Sequence, residues 1–135
     1  MMRCDIVPAL ESYLKGWSSR EFEWGEADCA RFAAGWVHNC MGNDPLFGFA
    51  DYDSEEGALA ALSQAGFATL ADAVSARLEP HASAMEARRG DIVQARKGGA
   101  LGICTGAGAD FMLAGQKGLV RLPLGACARA WKVEF

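Results

Sequence analysis

The chain has 135 residues, 51% of them hydrophobic and 22% charged, with a formal net charge of −4. This length suits one domain (1–135) with a buried core and no need of metal or disulfide staples, and the composition excludes a disordered chain. The acidic balance, with basic residues scattered and clustered no further than the pairs Arg88-Arg89 and Arg96-Lys97, argues against nucleic acid as a partner, because phosphate binding needs a basic surface.

Asp5 to Lys15 carries Ile6, Ala9, Leu10, Tyr13 and Leu14 at helical spacing and predicts a short first helix. Gly16 to Gly25 reads as a connection holding Trp17 and the turn Phe22-x-Trp24-Gly25. Asp28 is placed to cap a second helix, whose Phe32, Trp36, Val37 and Cys40 are spaced to face a core. Gly42 and Pro45 then end it. An aromatic loop (Phe47, Phe49, Tyr52) leads to Ser54, the cap of a third helix that runs to Gln64 and closes at Gly66. Thr69-x-x-Asp72 opens a fourth helix, expected to end near Leu78.

After Arg89 the pattern changes. Strands are expected at Gly90 to Ala95, Ala100 to Gly106, Asp110 to Ala114, Gly118 to Leu122 and Ala128 to Phe135, with a Gly98-Gly99 turn after the first. Helices over about 5–80 followed by a small antiparallel sheet over about 90–135 is an α+β order, not an alternating βαβ one. Gly106-Ala107-Gly108 does not connect a strand to a helix and reads as a turn, not a phosphate loop.

Met1 to Leu10 is interrupted by Arg3, Asp5 and Pro8, which is no secretory signal, and no window approaches the roughly twenty apolar residues of a membrane span. A cytoplasmic start without membrane insertion is expected. Cysteines stand at 4, 29, 40, 104 and 127, an odd and widely spaced set without a C-x-x-C pair. That fits reduced thiols, with neither a disulfide framework nor a metal site, and no cofactor is indicated. Cys4, Cys40 and Cys127 read as small core hydrophobes.

Cys29 is different, because it falls in the first turn of the second helix. The partial positive charge and unpaired N–H groups there stabilise a thiolate, so a lowered pKa and nucleophilic character are expected. The chain has two histidines to serve as a base. His38 is nine residues further along the same helix, about 13 Å along its axis and on roughly the opposite face. His81, in Glu79-Pro80-His81, reads as a surface loop histidine that approaches Cys29 only through a fold-back. Asp28, Glu26 and Asp91 are weak bases at neutral pH. The structural reading stands beside this one: Trp24 and Phe22 pack beneath the helix, Gly25 permits a positive φ and Asp28 serves as a cap. Period-two alternation puts Ala100, Gly102 and Cys104 on one strand face, and if that face meets Cys29 the two thiols are placed for redox coupling.

The turn Trp24-Gly25, the pair Asp28-Cys29, the strand Gly90-Asp91-Ile92-Val93 and the strand Ala100-Leu101-Gly102-Ile103 together resemble the NlpC-type branch of papain-like cysteine peptidases, which cleave cell-wall peptides. The resemblance implies a papain-like fold with Cys29 at the nucleophile position and Asp91 opening the sheet. It places Ala100 where the family has its histidine base and Leu113 near the residue that orients that base. Neither carries out proton transfer, so the resemblance implies a dismantled peptidase site, with Trp24, Gly25, Asp28, Asp91, Ala100 and Leu113 as its vestiges.

The chain is also similar, over nearly its full length, to a family of small phage and prophage proteins. The shared segments are Trp24 to Cys29, Asp44-Pro45 with Tyr52, Arg89 to Val93, Ala100 to Gly106, Gly118 to Leu124 and Ala130 to Val133. Genes of that family tend to lie among tail-tip genes. This resemblance implies a tail-tip or tail-assembly component with other tail proteins as partners, present in the host cytoplasm during assembly and then in the virion tail. The alternative it leaves open is a cysteine hydrolase acting on peptidoglycan through Cys29.

Overall fold

The computed structural model describes residues 6–46 and 48–134. The expectations for Cys4, Asp5, Phe47 and Phe135 lie outside the described residues. Four helices come first: α1 (Ile6–Trp17), α2 (Cys29–Met41), α3 (Glu55–Gln64) and α4 (Leu70–Ser75). Five strands follow: β1 (Ile92–Ala95), β2 (Leu101–Cys104), β3 (Gly108–Phe111), β4 (Val120–Pro123) and β5 (Cys127–Trp131). They form one antiparallel sheet in the order β4-β3-β2-β1-β5. The α+β order and the helices-then-sheet arrangement are as the sequence predicts.

Local chemistry sets the helix boundaries. Asp28, Ser54 and Thr69 each adopt extended backbone and accept an N–H from the first turn of α2, α3 and α4 respectively. Gly42 ends α2 at φ 83, in the left-handed conformation that glycine enters without a Cβ penalty. Among the described residues, 3₁₀ turns that were not foreseen lie at Ala84–Glu86 and Leu124–Ala126. The first carries a reciprocal capping box between Ser83 and Glu86, a pattern visible in the sequence as Ser-x-x-Glu. α4 stops at Ser75, short of the expected end near Leu78, with Ala76 as its C-cap. The expected β3 starts earlier than Asp110: Gly108 belongs to the strand and pairs with Pro123. β5 ends at Trp131, short of the expected Phe135.

The sheet has two packed faces. On the helical face, Ile92, Leu101, Ile103 and Trp131 join Leu10, Phe32, Trp36, Val37 and Leu78 in one buried cluster. On the far face, Val93, Ala95, Cys104, Ala109, Phe111, Cys127 and Ala130 form a second cluster with Ala84 and Leu124 from the two 3₁₀ turns. Strand alternation produces this division, since successive side chains point to opposite faces. Two indole hydrogen bonds fix the layers together: Trp36 Nε1 donates to the Gly90 carbonyl at 2.8 Å and Trp131 Nε1 to Ser75 Oγ at 2.9 Å. Full burial of rings such as Phe32 and Trp36 contributes about 2–3 kcal/mol each. The outer edge of β5 is covered, because His81 N donates to the Ala130 carbonyl and Lys132 N to the Glu79 carbonyl. Among the described residues no helix is long and apolar enough to cross a membrane.

Candidate functional site

The turn before α2 is tightly specified. The amide of Glu23 donates to the Ala27 carbonyl and the amide of Ala27 donates back to Glu23, while Phe22 and Trp24 meet edge to face at 5.0 Å. Gly25 sits at φ 85, and a Cβ there collides with the Tyr52 carbonyl oxygen. Asp28 is 1% exposed, and its carboxylate has three donors: the amides of Gly25 and Arg31 at 2.9 and 2.8 Å, and the Tyr52 hydroxyl at 2.7 Å. Burial pushes the Tyr52 phenol well above its ordinary pKa, and the hydrogen bond to Asp28 and that carboxylate's charge act in the same direction. Trp24, Gly25 and Asp28 therefore form a scaffold around the start of α2, with the Arg31 guanidinium 5.7 Å above the Tyr52 ring.

Cys29 is the first residue of α2. The residue keeps some solvent access, but its thiol is desolvated, and this pushes its pKa up to about 11. The backbone N–H groups of Leu101, Ala30 and Cys29 itself favour the thiolate, and the Asp28 carboxylate opposes it. The sum overturns the expected lowering. A helix N-terminus supplies a modest electrostatic term, whereas burial in protein penalises the charged form more heavily, and the capping carboxylate adds a like charge. The thiol's closest chemical relation is thus to backbone amides, above all that of Leu101 at the start of β2.

Neither histidine lies on this face. His38 is exposed on the last turn of α2. His81 is a correction to the sequence reading: it is not a surface loop residue. Its Nε2 lies 2.8 Å from Asp91 Oδ2, with side chains 8% and 0% exposed. Asp91 also accepts from the amides of Arg88 at 2.9 Å and Val133 at 3.2 Å. Two residues on from Asp91 is Val93, in the far-face cluster, and His81 stands opposite Ala130, in the same cluster. By strand alternation the His81–Asp91 pair belongs to the far side of the sheet, away from α2 and Cys29. It fastens the 79–81 segment, the start of β1 and the chain after β5 to one another.

Ala100 and Leu113, at the positions where the peptidase resemblance puts the base and its orienter, both pack against the far-face cluster. Cys104 does so too, being wholly buried there. The idea of a Cys29–Cys104 redox pair fails on this topology, because the sheet separates the two thiols. Cys127 is buried, Cys40 half-buried, and no described cysteine is in a disulfide.

Sequence reasoning missed an apolar cleft next to Cys29. It runs along α2 from Ala30 to Val37, has a volume of about 60 Å³, and is closed below by Ile92 and Leu101 and on the other side by α4. Pro45, Leu46, Phe49 and Arg77 form its rim. Arg77 is exposed and its guanidinium lies 5.1 Å over Phe49 and 5.6 Å over Phe67. The signal was the alanine spacing Ala30-Ala33-Ala34 opposite Ala73, small residues that leave a gap between two helices.

These features define an α+β protein with a desolvated helix-start thiol and a separate buried His–Asp pair. The chain belongs to the family described as a domain of unknown function (DUF6950), which matches residues 2–133. No curated protein and no solved structure matches the chain.

Proposed function

We propose that this protein is a tail-tip or tail-assembly component of a phage or prophage particle, acting by protein–protein contact on a degenerate NlpC-like scaffold. The reading combines the resemblance of segments such as Trp24 to Cys29 and Ala100 to Gly106 with one structural observation. The Cys29 thiol, raised to about 11 and set against the Leu101 amide, faces neither histidine of the chain. Amide hydrolysis by a thiol needs a thiolate, a base to form it and an acid to protonate the leaving amine. A protonated, desolvated thiol with its histidine partners elsewhere supports binding over catalysis.

Partners on this reading are other tail proteins, met in the host cytoplasm and retained in the virion tail. The test is to replace Cys29 by Ala in the phage or prophage and measure particle assembly, infectivity and the presence of the chain in purified particles. Normal assembly with the chain retained is expected. Loss of infectivity from a stably folded Cys29→Ala protein overturns the reading.

A further inference from the structure

The cleft beside Cys29 has a chemistry of its own. Its floor and walls are aliphatic (Ala33, Ala34, Val37, Ala73, Leu101), and the charged group at its rim is Arg77. A volume of about 60 Å³ exceeds several-fold the roughly 10–15 Å³ that one water requires, and with few polar partners it does not hold ordered water well. It is the size for one aliphatic or aromatic side chain. Among the described residues no carboxylate is ion-paired with Arg77. Its stacking over Phe49 and Phe67 holds the guanidinium at the mouth with less rotamer freedom left to lose on binding an anion.

We infer that this cleft is the docking site for a partner polypeptide that inserts one apolar anchor residue flanked by an acidic residue, the acid pairing with Arg77. The inference rests on the non-catalytic reading of the scaffold and names the chemistry of its partner. An apolar anchor in a preformed pocket supplies the affinity and the rim charge supplies selectivity, which is the usual division of labour in such contacts.

The probe is an array of synthetic octapeptides, each with a central Leu, Ile or Phe flanked on both sides by Asp or by Lys. The wild-type chain is expected to retain the Asp-flanked peptides about tenfold better than the Lys-flanked ones, as like-charge placement at a rim is strongly disfavoured. Arg77→Ala is expected to lower retention of the Asp-flanked set about threefold to fivefold, the size of an exposed ion pair, and Arg77→Glu to reverse the preference. Ala73→Leu fills the cleft and is expected to abolish retention of both sets. Arg77 is exposed, so its variants keep the test decisive if Ala73→Leu does not fold. No retention by the wild type, equal retention of both sets, or retention unchanged by Arg77→Glu overturns the inference. Binding of laurate without binding of any peptide also overturns it, in favour of a lipid occupant. Peptide binding that survives Cys29→Ala supports it. If no peptide binds while Cys29→Ala particles remain infectious, the cleft inference falls and the non-catalytic reading stands.

Discussion

The backbone N–H of Leu101 favours the Cys29 thiolate, and Leu101 stands one residue before Gly102 and Phe111 make the first β2–β3 pair. Leu101 lies on the helical face of the sheet and Ala100 packs on the other. The thiol therefore packs where the start of α2 meets the helical face of the sheet. Replacing Cys29 by Ala removes a side chain packed against the helical-face cluster and is expected to cost about 1–2 kcal/mol in urea-induced unfolding.

The raised thiol also has a consequence for pH. A group whose folded pKa lies above its unfolded value binds its proton more tightly when folded, so its stabilising contribution is complete below the unfolded pKa and disappears as pH rises. With an ordinary value of 9.0 and a folded value of about 11, wild-type stability is expected to fall between about pH 9 and 11. Cys29→Ala is expected to lose that part of the alkaline slope. Equal slopes in thermal melts of the two proteins across this window contradict the assignment.

The His81–Asp91 pair makes a larger prediction. Asp91→Ala leaves the Val133 and Arg88 amides and a buried imidazole without their carboxylate, and is expected to destabilise by about 3 kcal/mol, lowering Tm by roughly 10 °C for a chain of this size. His81→Ala is expected to cost about half as much. Both variants should leave Cys29 labelling unchanged, because the pair stands on the far face of the sheet. Differential scanning calorimetry with parallel thiol labelling checks both points.

Much of this architecture was legible because it is written in neighbouring residues. Asp28, Ser54, Thr69 and Gly42 mark helix ends through contacts three or four residues away, and a sequence window contains both partners. The His81–Asp91 contact was not legible, since it depends on Glu79 to His81 running along the edge of β5. The sign of the Cys29 shift was lost for the same reason: a helix start is a local feature, but desolvation is set by elements that close over the sulfur from elsewhere in the chain. Alternation placed Ala100 and Cys104 correctly on one strand face, yet which face met α2 was a tertiary fact.

That face assignment bears on the proposed likeness to a peptidase site. Ala100→His and Leu113→His restore the residue types that the resemblance expects, but they introduce them beside the far-face cluster. The double variant is expected to show no turnover of muropeptides by chromatography, at any pH from about 5 to 8, the range in which a histidine changes charge. Turnover that depends on Cys29 contradicts the placement.

The turn ahead of α2 predicts sharp intolerance at one position. Gly25→Ala combines a φ of 85 with a clash against the Tyr52 carbonyl, and is expected to cost more than about 2 kcal/mol or to prevent folding. Tyr52→Phe removes one of three donors to Asp28 and is expected to cost about 1 kcal/mol. In a double-mutant cycle, Tyr52→Phe and Asp28→Ala should be clearly non-additive.

The most direct test of the central claim is the rate of Cys29 alkylation by iodoacetamide as a function of pH, read by mass spectrometry of the intact fold. A folded pKa of about 11 predicts slower labelling at pH 7 than free glutathione, with a rate still climbing at pH 10. Labelling faster than glutathione, with a midpoint below about pH 7, is the behaviour of an activated nucleophile and contradicts the account.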